Sequence, residues 1–112
     1  MTKIAILACL RANDVCAGAA CLEALNGRRA HFQIYENDEV RLCAFLRCSR
    51  CGVDPKDDPG MLEKLERLIH CGIETAHIGV CCQGRDHARC PHMEKAAEWL
   101  KNRGVQIVWG TH

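Results

Sequence analysis

Residues 3–8 read KIAILA, and the five residues that follow Lys3 in this stretch are all apolar. An uninterrupted apolar run of this length is typical of a central strand that is covered on both faces. Residues 40–47, 74–82 and 105–109 also have the apolar patterns of strands, and residues 31–35 predict one more. The sequence thus predicts a sheet that is built around a buried first strand.

Helices are predicted between these strands. Residues 16–26 are rich in good helix formers and end before Gly27. Residues 59–71 place their apolar positions on one helical face, and the preceding Asp58 is a suitable N-cap. Residues 91–103 carry a third apolar stripe, which begins at a proline, as first helical turns often do. Helical segments therefore alternate with strands along the chain.

This alternation decides the expected fold class. Strands that alternate with helices through short turns are joined by right-handed crossovers and form a parallel sheet. We expect a single domain, residues 1–112, of the small three-layer α/β/α class. Its sheet is expected to be mostly parallel, with a flavodoxin-like or related doubly wound strand order.

Charge and composition exclude several classes of partner. Fifteen Lys and Arg residues against fourteen Asp and Glu give a net charge of +1, without the basic cluster that nucleic-acid binding requires. Aromatic residues make up only 4% of the chain, too few for a series of base-stacking platforms. No segment approaches the roughly 20 apolar residues of a membrane helix. We expect neither nucleic acid nor a membrane as a partner.

Cysteine is unusually frequent, with ten residues among 112. Such a density calls for disulfides, metal binding or redox chemistry as its explanation. The first apolar stretch is interrupted at Arg11 and lacks a small-residue cleavage pattern, so a secretory signal is not predicted. We expect a cytoplasmic protein, in which dense cysteine indicates metal or redox chemistry.

Most of the cysteines are predicted at one edge of the sheet. The carboxyl ends of parallel strands meet at a common edge, which is where open α/β sheets bind ligands. By contrast, Cys43 lies within a strand and Cys71 at the opposite edge. Cys81 and Cys82 are neighbours, so in an extended strand they point to opposite faces and only one of them is expected to bind a given ion. The other candidate metal ligands at this edge are Cys9, Cys16, Cys21, Cys48, Cys51, Cys90, His92 and His112.

The remaining histidines have simpler explanations. His77 lies in a predicted strand and is expected to be a hydrogen-bonded core residue. His70 is expected near the end of the second helix, where it interacts favourably with the helix dipole. We expect His31 and His87 on the surface.

The cysteine motifs resemble those of the CGGC domain family, whose members are described as metal-binding. The likeness extends over nearly the whole chain and follows the same order of motifs. These are Cys9 after the first strand, CAGAAC at residues 16–21, C-x-x-C at 48–51, HIGVC at 77–81, CPH at 90–92 and GTH at 110–112. Following the family, Cys81 rather than Cys82 is the expected ligand.

The motif that names the family is altered in this chain. Residues 48–51 read CSRC, whereas the family has two glycines between the cysteines. Ser49 and Arg50 remove the backbone freedom that glycines give, and Arg50 adds a cation beside the site. A different ligand or a diverged function is therefore an alternative.

Several functions fit these observations. We favour an iron–sulfur cluster, because the chain offers seven thiols and one tetrahedral zinc ion requires only four ligands. Zinc is the alternative, since it accepts dispersed Cys and His ligands, and copper(I) also suits soft donors. The expected role is electron transfer, metal handling or sensing, with no reaction assigned.

Two metal-independent or structural functions stay open. One is a metal-free thiol–disulfide oxidoreductase, in which Cys48 and Cys51 or a thiolate at Cys9 react by exchange. The other is a structural zinc domain with a partner-binding surface. A chain of this size also leaves room for a second copy to complete the pocket, as a homodimer.

Overall fold

The computed structural model describes residues 1–84, 86 and 88–112. The strands in the described part of the chain are β1 (Thr2–Ala8), β2 (Val40–Arg47), β3 (Thr75–Ile78) and β4 (Gln106–Trp109). The α-helices there are α1 (Ala19–Asn26), α2 (Pro59–His70) and α3 (Pro91–Lys101). The longest of these helices has 12 residues, and no described helix is long and apolar enough to cross a membrane.

The four strands form one sheet in the order β2-β1-β3-β4, and all neighbours are parallel. The order matches the first four strands of the flavodoxin-like arrangement. The predicted α/β class and strand order are therefore confirmed. Because all strands run in the same direction, their carboxyl ends lie along one edge.

Strand β1 is buried on both faces, as its apolar run predicted. Ala5 and Leu7 belong to the core on one side of the sheet, and Ile4 and Ile6 to the core on the other. All four side chains are completely buried. Because side chains alternate along a strand, this one segment contributes residues to both cores.

The helices cover the two faces unequally. Helices α2 and α3 pack on the first face, through Met61, Leu65, Leu68, Met93, Ala96, Ala97 and Leu100. Helix α1 packs on the second, through Cys21, Ala24 and Leu25, together with Phe32 and Tyr35 from a short 3₁₀ helix, Ala30–Tyr35. These layers give the predicted three-layer arrangement.

The prediction of a strand at residues 31–35 was wrong, because this segment is the 3₁₀ helix Ala30–Tyr35. Phe32 and Tyr35 are three residues apart, which is the repeat of a 3₁₀ helix, and both are buried on the sheet. Ile34 between them is 59% exposed, so the apolar residues do not alternate as a strand requires.

Two predicted boundaries also need correction. Helix α1 begins at Ala19 rather than at residue 16, with Gly18 as its N-cap at a φ of 78°. Strand β3 ends at Ile78, and the next residues form a 3₁₀ helix, Val80–Cys82. The N–H of Cys82 donates to the carbonyl of Gly79 at 3.0 Å, so the chain turns away from the sheet.

The core histidine was predicted correctly. His77 is fully buried, its Nδ1 lies 3.0 Å from the carbonyl oxygen of Gly110, and its Nε2 lies 2.7 Å from the hydroxyl of Tyr35. A carbonyl oxygen only accepts, so Nδ1 carries the proton and Nε2 accepts from the Tyr35 hydroxyl. This pair of hydrogen bonds ties the end of β4 to the layer that carries Tyr35.

The neutral His77 makes the protein sensitive to mild acid. Burial is the main cause that lowers the pKa of His77 from its ordinary value of 6.5. Below pH 6.5 the unfolded state binds a proton that the folded state does not, so stability falls as the pH decreases. We expect the free energy of unfolding to decrease between about pH 7.5 and about pH 5.5, measured by urea denaturation. In His77→Gln this part of the pH dependence disappears; an unchanged slope in the variant contradicts the assignment.

The N-cap of α2 is a second test of the fold. Oδ1 of the buried Asp58 accepts a hydrogen bond from the N–H of Met61 at 3.3 Å. Asp58→Ala is expected to lower the free energy of unfolding by about 0.5–2 kcal/mol, because this N–H loses its partner. The exposed Asp57 is the matched control, and Asp57→Ala should leave stability nearly unchanged. Equal losses in the two variants would rule out the capping role.

Candidate functional site

Five thiols gather in one pocket at the carboxyl edge of the sheet. The pocket has a volume of about 360 Å³. Its cysteines come from four segments of the chain: the end of β1, the loop after β2, the turn after β3 and the start of α3. They are Cys9, Cys51, Cys81, Cys82 and Cys90. We call this cavity the thiol pocket.

The turn after β3 brings Cys81 to the end of β1. The N–H of Gly79 still donates to the carbonyl of Leu7 at 2.8 Å, which keeps the chain beside β1. The following 3₁₀ helix then places the sulfur of Cys81 at 3.1 Å from the backbone N–H of Cys9, which donates to it. Residues 72 positions apart in the chain therefore meet at this edge.

Cys81 and Cys82 shift each other's pKa in opposite directions. The hydrogen bond from the Cys82 side chain is the largest cause that lowers the pKa of Cys81, to about 6, and the N–H of Cys9 lowers it further. The same hydrogen bond and burial raise the pKa of Cys82. At neutral pH the lowered pKa favours the thiolate form of Cys81, and the raised pKa keeps Cys82 a neutral thiol. The prediction that these residues lie in an extended strand was wrong, because Val80–Cys82 is a 3₁₀ helix, and both cysteines line the thiol pocket although Cys81 is exposed and Cys82 is buried.

Cys48 lies directly beneath the thiol pocket. It is buried in the core, and its sulfur accepts a hydrogen bond from the N–H of Leu10 at 3.3 Å. Burial raises the pKa of Cys48, and the neighbouring thiols Cys9, Cys51 and Cys90 raise it further. Cys48 is thus close to the pocket thiols but is held as a neutral thiol in this state.

Cys16 and Cys21 form a separate group on the α1 side of the sheet. The thiol of Cys21 donates to the hydroxyl of the buried Thr111 at 3.2 Å, and burial raises the pKa of Cys21. The sulfur of Cys16 accepts from the N–H of Gly18 at 3.3 Å. Neither residue lines the thiol pocket. The structure therefore places these two predicted ligands outside the thiol pocket, although Cys81 is close enough to raise the pKa of Cys21.

Arg47 lies between the two groups of thiols. Its guanidinium donates to the carbonyl of Cys16 at 3.2 Å, and its charge lowers the pKa of both Cys21 and Cys81. Its second terminal nitrogen is buried and has no hydrogen-bond partner among the described residues. Sequence reasoning missed Arg47, although a cation at the end of β2, directly before Cys48, was a usable signal.

The two predicted histidine ligands occupy different surroundings. His92 is buried and lines a small cavity of about 170 Å³, which it shares with Cys90. His112 is exposed, and the preceding Thr111 is buried and accepts a hydrogen bond from Cys21.

The other cysteines lie where the sequence placed them. Cys43 is in β2 at a register shift between β1 and β2, and Cys71 caps the carboxyl end of α2. His31 and His70 are exposed, whereas His87 lies outside the described residues. All ten cysteines are described, and none of them forms a disulfide.

The donor chemistry of the thiol pocket fits a thiophilic metal, since it combines several thiols with one thiolate. The side chains are not closed around an ion, because no three described His, Cys, Asp or Glu side chains are arranged so that they could hold one. Metal binding would therefore require these side chains to turn toward a common point.

The fold and the site define a class: a small parallel α/β domain with a thiol-lined pocket at the carboxyl ends of its strands. The chain belongs to the CGGC domain family, whose family model matches residues 3–112. Members of this family are described as metal-binding domains. No curated protein and no solved structure matches the chain.

The Cys81 thiolate can be tested in metal-free, reduced protein. Alkylation of Cys81 by iodoacetamide should rise with pH through a midpoint near pH 6, because its pKa is about 6 and only the thiolate reacts. Peptide mass spectrometry of samples quenched across a pH series measures this midpoint.

Two variants at position 82 test whether Cys82 is the cause of the lowered pKa of Cys81. Cys82→Ala removes the hydrogen-bond donor, so the Cys81 midpoint should move toward the ordinary value of 9.0. Cys82→Ser keeps a hydroxyl donor of similar size and should retain most of the shift. Identical midpoints in all three proteins would show that Cys82 does not stabilise the thiolate.

Proposed function

We propose that this protein binds a thiophilic metal centre in the thiol pocket, with Cys9, Cys51, Cys81 and Cys90 as its principal sulfur ligands. One observation carries the proposal: five thiols from four separate segments line a single cavity at the ligand-binding edge of a parallel sheet. Membership of the CGGC domain family supports it.

The exposure of these thiols argues against a purely structural role. Free cysteine that serves as a small apolar residue is usually buried. Cys51 and Cys81 are exposed, and Cys9 and Cys90 are only half-buried. The buried Cys48 and Cys82 lie at the inner side of the same cluster, where they can support or complete a ligand set.

Electrostatics also favour a centre at this position. Several thiolates around one ion create a local excess of negative charge, which a buried cation offsets. Arg47 is close enough to lower the pKa of Cys81, and one of its nitrogens has no described partner. We assign Arg47 the role of counter-charge to the thiolates.

The metal itself is an iron–sulfur cluster or zinc. Five pocket thiols, with Cys48 beneath them, exceed the four ligands of a single zinc ion, which supports a cluster. The dispersed positions of the cysteines and the nearby His92 are typical of zinc. When bound, a cluster would supply electron transfer or redox sensing, and zinc would supply structure or an open coordination position.

A metal-free thiol oxidoreductase is the second candidate, favoured by the Cys81 thiolate beside other thiols. In that case Cys81 attacks the disulfide of an oxidised thiol substrate, forms a mixed disulfide and releases the substrate's other sulfur as a thiolate. A neighbouring pocket thiol, after losing its proton, then displaces the bound substrate and leaves an intramolecular disulfide.

The cytoplasm suits either function, because a reducing compartment keeps these thiols free. A homodimer in which a second copy closes the exposed side of the pocket is compatible with the exposure of Cys51 and Cys81.

Anaerobic purification, followed by elemental analysis and a visible spectrum, tests the proposal. Iron with labile sulfide and a brown colour supports a cluster, and a colourless protein with stoichiometric zinc supports a zinc site. A protein that holds no metal and cycles between dithiol and disulfide contradicts the metal centre and supports the second candidate.

Single cysteine variants locate the centre. Cys81→Ser should weaken metal binding by at least about tenfold, because it removes a ligand thiolate, and Cys48→Ser should also reduce bound metal. Cys43→Ser is the control, since Cys43 is half-buried in β2 and does not line the pocket, and Cys71→Ser is a second. Equal metal loss in all four variants would contradict this location.

A further inference from the structure

His92 is held at the start of α3, next to the thiol pocket. It is the second residue of the helix, and the N-cap is Cys90. His92 and Cys90 line the same small cavity, together with Gly52 and Val53 of the loop that follows Cys51. Cys90 also lines the thiol pocket, so the two cavities share one sulfur.

One hydrogen bond fixes the tautomer of the His92 ring. Nδ1 of His92 is hydrogen-bonded to the carbonyl oxygen of Val53. Because a carbonyl oxygen only accepts, the proton of the neutral ring is on Nδ1 and Nε2 carries a free electron pair. Val53 follows Cys51 by two residues, so the loop that supplies a thiol also orients this imidazole.

The free electron pair has no described partner. His92 is only 6% exposed, and its Nε2 is buried without a hydrogen bond to any described residue. A buried acceptor without a hydrogen bond destabilises the folded state. His77, the other buried histidine among the described residues, uses both ring nitrogens in hydrogen bonds. The difference indicates that the interaction at Nε2 of His92 is completed by a ligand.

We propose that Nε2 of His92 is a nitrogen ligand of the metal centre, which makes the ligand set a mixture of sulfur and nitrogen. The inference rests on the proposed function. Histidines that bind metals generally donate their other ring N–H to a carboxylate or a backbone carbonyl, which is the arrangement between His92 and Val53. Cys and His together are a common ligand set for zinc.

Zinc titration of the full-length, metal-free protein tests this assignment. His92→Gln retains an N–H that can donate to Val53 and a similar volume, but it removes the imidazole. We expect its zinc affinity to fall by at least about tenfold relative to wild type. His70→Gln is the control, because His70 is exposed at the end of α2 and should bind zinc as the wild type does. Thermal unfolding of each metal-free variant checks that the fold is retained.

Nitrogen NMR of the histidine side chains gives a readout that does not depend on affinity. In the metal-free protein His92 should be the tautomer with its proton on Nδ1, and zinc should shift the Nε2 resonance of His92 but not those of His70. Unchanged affinity in His92→Gln together with an unmoved Nε2 resonance overturns the inference, while zinc uptake through sulfur leaves the proposed function intact. A wild-type protein that takes up no metal of any kind overturns both.

Discussion

The burial of β1 on both faces is the constraint on which the rest of the molecule depends. A strand in this position pairs on both sides, with β2 and β3, and its connections must cross over the sheet through helices. Every strand then ends at the same edge. Thiols that are 72 residues apart, such as Cys9 and Cys81, meet there without any covalent link.

The sheet also divides the buried cysteines between its two faces. Cys48 and Cys82 pack with the core under α2 and α3, whereas Cys21 packs with the core under α1. The candidate ligands are therefore split between two sides of one edge. Arg47 lies at the boundary and influences thiols on both sides, so its charge connects the two groups.

Within the thiol pocket, local geometry makes two adjacent cysteines chemically different. A 3₁₀ turn after β3 places Cys82 where it lowers the pKa of Cys81, and the backbone N–H of Cys9 donates to the Cys81 sulfur. Negative charge is therefore concentrated on Cys81. With the oriented imidazole of His92 nearby, the edge offers sulfur and nitrogen donors around neighbouring cavities.

The α/β class, the buried first strand, the N-cap at Asp58 and the gathering of cysteines at one edge can be read from the amino-acid pattern, because they follow from apolar periodicity and from the shared direction of parallel strands. The pattern did not predict the 3₁₀ helix at Ala30–Tyr35, the opposite pKa shifts of Cys81 and Cys82 or the contacts of Arg47. Those features depend on how segments distant in the chain pack and hydrogen-bond across the two faces of the sheet. Short apolar and polar segments are compatible with several local conformations, so their contacts are fixed when the whole domain packs.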